Sequence, residues 1–456
     1  MSREPARPAR SRRRRRHRRR HLRPRDRPSP DGGGGRRGRR RGARPRRRAP
    51  PARRHAVGTP AGGRRRAGRR AHAIDQGAGR RAGRADHPHG RRRGPARPLL
   101  RRRAPARGLP YEKAPESAAA LHAATKALDE LALQVPIEDP WNAPRAREWD
   151  AQTLLAWIEA NVSDPGARAG LAAEFYFMGG AFEELSLLFC LWTIHAMGLW
   201  ETWEAGTTHR LLGGTSELVN RVAEPLRGRI FEQAPVRRVV RDDDGGVTVH
   251  TDRGAIAASA LVVAIAPALC SRIEWEPRLP PARDRLQDRY LMGHGIKFQA
   301  IYDEPWWRAQ GYMGLGLGQD PVWVLVDATG PDDEGAGRLI GFAPITGADI
   351  ARWSDVMGDE EAAKRLFVEQ IGYYFGAGPP PVEVYVFSWA GDPWSLGCAA
   401  GLSCGTLSTV GPALRAPVGP IVWAGAETGL PQNDWIEGAI SAGERASREA
   451  LERLGR

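Results

Sequence analysis

The chain has 456 residues and a formal net charge of +18 at pH 7, but that charge averages two unlike pieces. Residues 1–110 hold 41 arginines, no lysine and five acids, a balance of +36, whereas residues 111–456 carry −18. This excludes reading the whole chain as a basic, nucleic-acid-binding globule, and the length suits two interleaved domains better than one.

All 33 aromatic residues lie in 111–456, which has ample material for a buried core. Residues 1–110 offer only Met1, Leu22, Val57, Ile74, Leu99, Leu100 and Leu109 as large apolar side chains and cannot bury one. Runs such as Arg12–Arg16, Arg18–Arg20 and Arg64–Arg66, spaced by Gly, Pro and Ala, read as a disordered polycation over 1–108. One reading is a nucleic-acid-binding arm, since each neutralised phosphate releases counterions. Against it stand the missing lysines and the lack of any aromatic to stack on bases. Arg, Gly, Pro and Ala are the residues of GC-rich codons, so a stretch translated out of frame is the alternative. Cys190, Cys270, Cys398 and Cys404 make no disulfide framework in a chain this size. No apolar run approaches the roughly 18–20 residues of a membrane span, and none follows the first arginines as a secretory signal requires. A cytoplasmic setting is expected.

From Glu116 the apolar positions Leu121, Leu128, Leu131 and Leu133 predict a helix along an Ala-rich run. Ile137–Trp141 is a Pro-bounded turn. Thr153–Asn161, Ala167–Met178 and the apolar Glu183–Met197 are expected helices, and Thr215–Ser216 is expected to cap a helix over Glu217–Leu226. The period then changes to two. Strands are expected at Ile230–Glu232, Val236–Val240, Val247–Thr251 and Ala260–Ile265, with a turn at Asp242–Gly246. Lys297–Tyr302, Val322–Val326 and Leu339–Phe342 are strand-like; Glu360–Phe375 is an amphipathic helix, and Val382–Trp389 a strand. Ile421–Ala424 is a buried strand, followed by a helix from Trp435 to Leu454. Strands and helices mixed this way predict an α/β or α+β fold in which distant stretches share sheets. No period of 20–50 residues repeats, which argues against a solenoid.

The most informative stretch is the last. A strand delivers Gly425, where the missing Cβ allows close approach to the backbone. The helix behind it places Gly438, Ala439, Ala442, Gly443 and Ala446 as a small-residue stripe on which a strand or a flat cofactor can pack. Its N-terminus is a seat for an anion or a polarised carbonyl.

This stretch, Ile421-Val-Trp-Ala-Gly-Ala-Glu-Thr-Gly with Trp435-Ile-Glu-Gly-Ala behind it, resembles the C-terminal signature of the flavin-containing monoamine oxidase family. The resemblance runs from about Leu109 to Leu454. It takes in Asp139-Pro-Trp-Asn-Ala-Pro, Glu148-Trp-Asp, Gly213-Gly-Thr, Pro235-Val236, Val262–Pro267, Gly295-Ile-Lys297, Phe342, Trp389 and Ser395-Leu-Gly-Cys398. It implies a two-domain fold over 109–456 with discontinuous domains. The substrate domain would come from about 111–215 and 285–390, the FAD domain from about 216–284 and 391–456.

The implied roles follow residue by residue. Lys297 matches the lysine that holds a water near flavin N5; the plainer reading is a surface strand lysine. Val236 matches the position whose backbone contacts the adenine end of FAD. Trp389 matches the tryptophan lying along the flavin, with an ordinary core aromatic as its alternative. Gly425, Glu427 and Thr428 match positions beside the cofactor, and Phe342 matches a wall of the substrate cavity and equally suits a core. Trp435 stands at one position of the family's aromatic cage, still able to meet a cation. Ala399 stands at the other and removes half the cage, so a simple arylalkylamine preference is not expected. Cys398 falls where some members attach the flavin through a thioether; a free thiol near the ring is the expectation. His122, His195, His209 and His294 are scattered and Cys404 fits no zinc spacing, so neither a metal site nor a Ser/His/Asp arrangement is expected.

The family's opening strand, its Gly-x-Gly-x-x-Gly turn and the acid that takes the ribose are not recognisable. Gly32–Gly35 has glycines, but no apolar strand ahead of it and polyarginine behind. Poor FAD binding, or none at all, is therefore expected of the chain as written. The implied activity is oxidation of an amine C–N bond to an imine, with FAD as cofactor, dioxygen as acceptor and hydrogen peroxide as product. The alternatives are an inactive oxidase-like body with a nucleic-acid-binding arm, or a flavin amino-acid oxidase or desaturase.

Overall fold

The computed structural model describes residues 115–175, 183–200, 202, 209–317, 322–330, 333–345 and 358–456, with the pair His87–Pro88. His87–Pro88 bridges His209–Arg210 in an antiparallel pair. The rest of the arginine-rich stretch, with the readings made of it, lies outside the described residues.

The first core is helical. It is built by α1 (Pro115–Ala132), α2 (Leu154–Asn161), α3 (Pro165–Phe175) and α4 (Leu187–Ala196). In α1, Ala124, Leu128 and Ala132 recur every four residues and form the buried stripe. Every residue of α4 but His195 is buried, as an all-round apolar helix must be. Its expected start at Glu183 moves to Leu187, because the Ser186 side chain accepts a hydrogen bond from Phe189 N and acts as the cap. Thr153 caps α2 in the same way through Ala156 N. The end of the helix expected to reach Met178 lies outside the described residues.

One side chain ties this core to a segment more than 250 residues later. Asp150 is fully buried, and its carboxylate accepts from Ser186 Oγ at 2.5 Å and from Ser408 N and Oγ at 2.8 and 2.7 Å. Its backbone carbonyl accepts from Gly405 N at 2.7 Å.

Two expectations after this core are corrected. α5 spans Thr215–Ala223 with Gly214 at its N-cap, φ +80°, and no side-chain cap. Thr215 and Ser216 are therefore inside the helix: the glycine pair turns the chain one step earlier than a hydroxyl cap requires. Ile230–Glu232 is not a strand. A 3-10 turn through Pro225 carries the chain to Ile230, Gln233 takes φ +56°, and no strand among the described residues pairs with the segment.

A four-stranded sheet follows, formed by β1 (Val236–Arg241), β2 (Val247–Thr251), β3 (Gly254–Ala258) and, after β4 (Leu261–Val263), β5 (Glu274–Glu276). Its order is β3-β2-β1-β5, with β5 parallel to β1. Helix α6 (Pro281–Asp288) then leads into β6 (Tyr290–Tyr302), thirteen residues long and central to the second large sheet. The remaining elements are β7 (Leu315–Leu317), β8 (Val324–Asp327), β9 (Gly337–Ile345), α7 (Glu360–Phe375), β10 (Glu383–Ser388), β11 (Cys398–Leu402), β12 (Ile421–Trp423) and α8 (Ile436–Arg453). The large sheet runs β10-β6-β9-β8-β7, and β11 pairs with the first part of β6. β12 lies parallel to β4 in a separate two-stranded sheet.

Alternation decides the two faces of β6. Ile296, Phe298, Ala300 and Tyr302 are buried with Phe367, Ile371 and Phe375 of α7, the Phe298 and Phe367 rings stacking at 4.9 Å. Lys297, Gln299 and Ile301 take the opposite face. The architecture is the mixed α/β one that the sequence predicts. No helix among the described residues is long and apolar enough to cross a membrane.

Asp150→Ala leaves one buried and two half-buried donors without their acceptor, at a cost of about 3 kcal/mol. Denaturant unfolding is expected to show that loss for Asp150→Ala and a clearly smaller one for Asp150→Asn, which keeps an acceptor oxygen. Equal losses for the two would refute the acceptor argument.

Candidate active site

The outward face of β6 is aromatic. Lys297 stands opposite Phe342 on β9 and Phe387 on β10, with its Nζ 5.6 Å from the Phe342 ring centre, a cation–π distance. Tyr385 stacks on Phe387 at 6.2 Å on the same side of β10. Phe387 is 45% exposed, and Trp389, in the short turn Trp389–Gly391, is 49% exposed. Aromatic surface left open around a cation marks a binding face rather than a core.

β11 brings two more of the expected positions to the same strand. Cys398 pairs with Gly293, and the register slips before Ala400 pairs with Met292, so Ala399 is the extra residue of a β-bulge. Bulges concentrate at sheet rims beside active sites, where they re-aim the chain. Cys398 is an exposed free thiol.

The segment after β12 is shaped by close backbone approaches. A Cβ on Gly425 would stand 2.2 Å from the Glu427 carboxylate, and one on Gly429 would run into the carbonyl of Gly438. At Gly429 the obstacle is backbone and only glycine fits; at Gly425 a side chain would displace the Glu427 carboxylate. Glu427 is 4% exposed, and its Oε1 has no hydrogen-bond partner. Burial, reinforced by Asp434, pushes its carboxyl up to about 8. Thr428 Oγ1 donates to Gly425 O at 2.7 Å and accepts from Arg445 Nη2 at 2.9 Å, while Arg415 Nε donates to Thr428 O at 3.1 Å. Arg283, 1% exposed, lies 3.5 Å from the Trp423 ring centre and donates to the carbonyls of Ala413 and Leu414.

The expected small-residue stripe on α8 divides. Gly438, Ala442 and Ala446 are buried, four residues apart, whereas Ala439 and Gly443 face solvent. A 3-10 turn over Ala426–Thr428 follows Gly425, and α8 begins only at Ile436 with Trp435 at its N-cap. Its N-terminal amides therefore do not directly follow the glycine.

The structure thus gathers Lys297, Phe342, Cys398 and Ala399 on β6 and its partners, with Trp389 leaving β10 beside them. Gly425, Glu427, Thr428 and Trp435 share the segment between β12 and α8. Val236 begins β1, in a sheet with a core of its own. Sequence reading passed over Tyr385 and Phe387, although the alternation of Val382–Trp389 puts them on one face with Trp389. It had no signal for Arg283. No group of three or more metal-ligating side chains occurs among the described residues.

Three observations fit FAD to this surface. Glu427 offers a buried carboxyl oxygen without a partner among the described residues, the glycines let the chain close tightly around it, and apolar side chains of the adjoining parallel strands are left uncovered. Val262 on the two-stranded parallel sheet is 42% exposed, although parallel sheets are ordinarily covered on both faces. Gly425, Glu427 and Thr428 would hold the cofactor on one side, with Lys297 and Trp389 at its ring.

The family of flavin containing amine oxidoreductases matches residues 72–451, a range that opens inside the arginine-rich stretch. A probable flavin-containing monoamine oxidase A of Dictyostelium discoideum is 33% identical over 73% of this chain and 74% of its own. A flavin-containing amine oxidase of Oncorhynchus mykiss is 31% identical, and there the match spans 65% of the relative, just under two thirds. Among solved structures, cyclohexylamine oxidase from Brevibacterium oxydans IH-35A is 29% identical with a TM-score of 0.67, covering 75% of this chain and 76% of that one. Putrescine oxidase bound to putrescine is 27% identical with a TM-score of 0.66, at the same coverage. The chain belongs to the flavin containing amine oxidoreductases, an enzyme family whose cofactor is FAD.

Proposed function

We propose that this protein oxidises the C–N bond of a small amine to an imine, with dioxygen as the electron acceptor and hydrogen peroxide as the reduced product. The observation that carries the reading is the lone lysine of β6, set between Phe342 and Phe387 on an open aromatic sheet face. FAD, when bound, supplies the acceptor for the hydride equivalent that leaves the amine carbon.

The chain's own residues bind and orient. Phe342 and Phe387 offer an apolar wall that excludes competing water, and Trp435 offers a ring face to an amine nitrogen. Lys297 brings three N–H donors to an otherwise apolar surface, suited to holding one water in a fixed place. Trp389 would stand along the cofactor ring, with the free thiol of Cys398 on the neighbouring strand. A soluble location in the cytoplasm accords with this reading.

Glu427 is the buried acid beside the cofactor, and in its neutral form it donates one hydrogen bond as well as accepting. Its titration has a definite sign. Between the ordinary value of 4.5 and the buried value of about 8, the folded state keeps a proton that the unfolded state has lost. Stability therefore falls as pH rises through that window.

Three outcomes are expected. Full-length protein supplied with FAD should release peroxide with amines and not with amino acids; a preference for amino acids would overturn the reading. Its kcat/KM should climb about tenfold per pH unit until the amine is neutral, and Lys297→Met should lower it by about a hundredfold without moving Tm. A flat pH profile would count against neutral-amine chemistry. Glu427→Gln should raise Tm by about 2–4 °C at the upper end of the 4.5-to-8 window and leave it unchanged at the lower end. The same shift at both ends would show that burial of the charge is not the cause.

A further inference from the structure

The segment carrying Trp435 is bent in an unfavourable way. Gln432 and Asp434, neither of them glycine, take φ of +59° and +67°. Left-handed backbone at side-chain-bearing residues persists only where surrounding contacts impose it. The contacts here are identifiable. Gln432 N donates to the carbonyl of Ala196 at 3.1 Å, and Asp434 N donates to Ala426 O at 3.0 Å. Tyr290, the first residue of β6 and 5% exposed, donates its hydroxyl to Asp434 Oδ1 at 2.8 Å. Asn433 Nδ2 lies 3.4 Å from the other carboxylate oxygen.

Of these, the Tyr290 bond reaches the strand that carries the rest of the site. Tyr290 faces Leu402 across β11, and the bulge at Ala399 sits three residues back along that strand. Trp435 N closes onto Gln432 O at 3.2 Å, and Ala439 N donates to Trp435 O at 2.9 Å as the first turn of α8. The tryptophan thus inherits whatever position Asp434 is held in. The two walls expected to flank an amine, Trp435 and the Ala399 bulge, are linked through one hydrogen bond 144 residues apart in sequence.

We propose that Tyr290 and Asp434 are positioning residues: their hydrogen bond sets where Trp435 stands relative to the bulge at Ala399, and with it the width of the amine cleft. This rests on the amine-oxidase reading above. Tyr290 touches neither amine nor cofactor in this account; it acts through Asp434. The aspartate is suited to the place twice over, since its short side chain accepts the phenol and tolerates the left-handed backbone.

The test uses the full chain and two readouts. Hydrogen–deuterium exchange is followed for residues 432–436 and, as an internal control, 398–402. KM and kcat are measured for a cyclic amine and a slender linear diamine. Tyr290→Phe, which keeps the buried ring, should speed exchange of 432–436 about tenfold while leaving 398–402 unchanged. It should change the ratio of the two KM values about fivefold or more with each kcat within about twofold, because orientation of a wall alters binding before chemistry. Asp434→Asn keeps an acceptor and the backbone tolerance, and should behave as the parent protein. Unchanged exchange in Tyr290→Phe overturns the proposal. So does exchange that rises equally in both segments, which would mean general loosening, and so does a local rise with both KM values unmoved. If the parent protein turns over no amine, the failure belongs to the amine-oxidase reading, and the exchange pattern still decides whether Tyr290 holds the segment.

Discussion

Everything at the site hangs on the backbone pairing of one long strand. β6 hydrogen-bonds β9 along one edge, β10 along the other, and β11 at its beginning. β10 meets Ile296–Ile301 and β11 meets Tyr290–Gly293, two successive stretches of the one strand. Between them the chain leaves the sheet at Ser388, passes through the turn at Trp389 and returns at Cys398. The positions of Trp389, Cys398 and Ala399 are therefore set by pairing to β6. Register then does the rest: a slip of one residue would bury Lys297 against Phe367 and expose Phe298.

Much of this was legible in the chain itself, and unevenly so. Glu360–Phe375 emerged as expected because an Asp cap and an apolar stripe act within a few residues of each other. The terminal helix began and ended within one residue of expectation with no side-chain cap, on the spacing of Gly438, Ala442 and Ala446 alone. β6 was read only from Lys297, since its first half, Tyr290-Leu-Met-Gly-His-Gly, has no alternation; it is a strand because β11 and β9 pair with it. Ile230–Glu232 failed in the opposite direction, having an apolar look but no partner. β-structure depends on what lies alongside, and that is not a local property of sequence.

The site divides along the same line. Lys297 and Phe342 become neighbours through register, which the spacing of motifs does not encode, although resemblance to a family singles out both. The glycines at 425 and 438 are readable as glycines but not as a pair of backbones in contact with the segment between them. Arg283 carried no signal in the sequence. It is buried because Trp423 offers it a ring face and two carbonyls take one of its nitrogens. Such compensation is visible only once the chain is folded.

The two-stranded sheet has a consequence for the order in which the protein is made. Val262 pairs with Val422, roughly 160 residues further along. A parallel pair closed over so long a loop forms late, because the entropy of closure is met before its contacts are gained. On the ribosome, Leu261–Val263 emerges well ahead of Ile421–Trp423 and waits, its hydrogen-bonding edge open, while the large sheet is synthesised. The segment that carries Glu427 and Trp435 is thus also the piece that completes a half-built sheet, after the large sheet has been made.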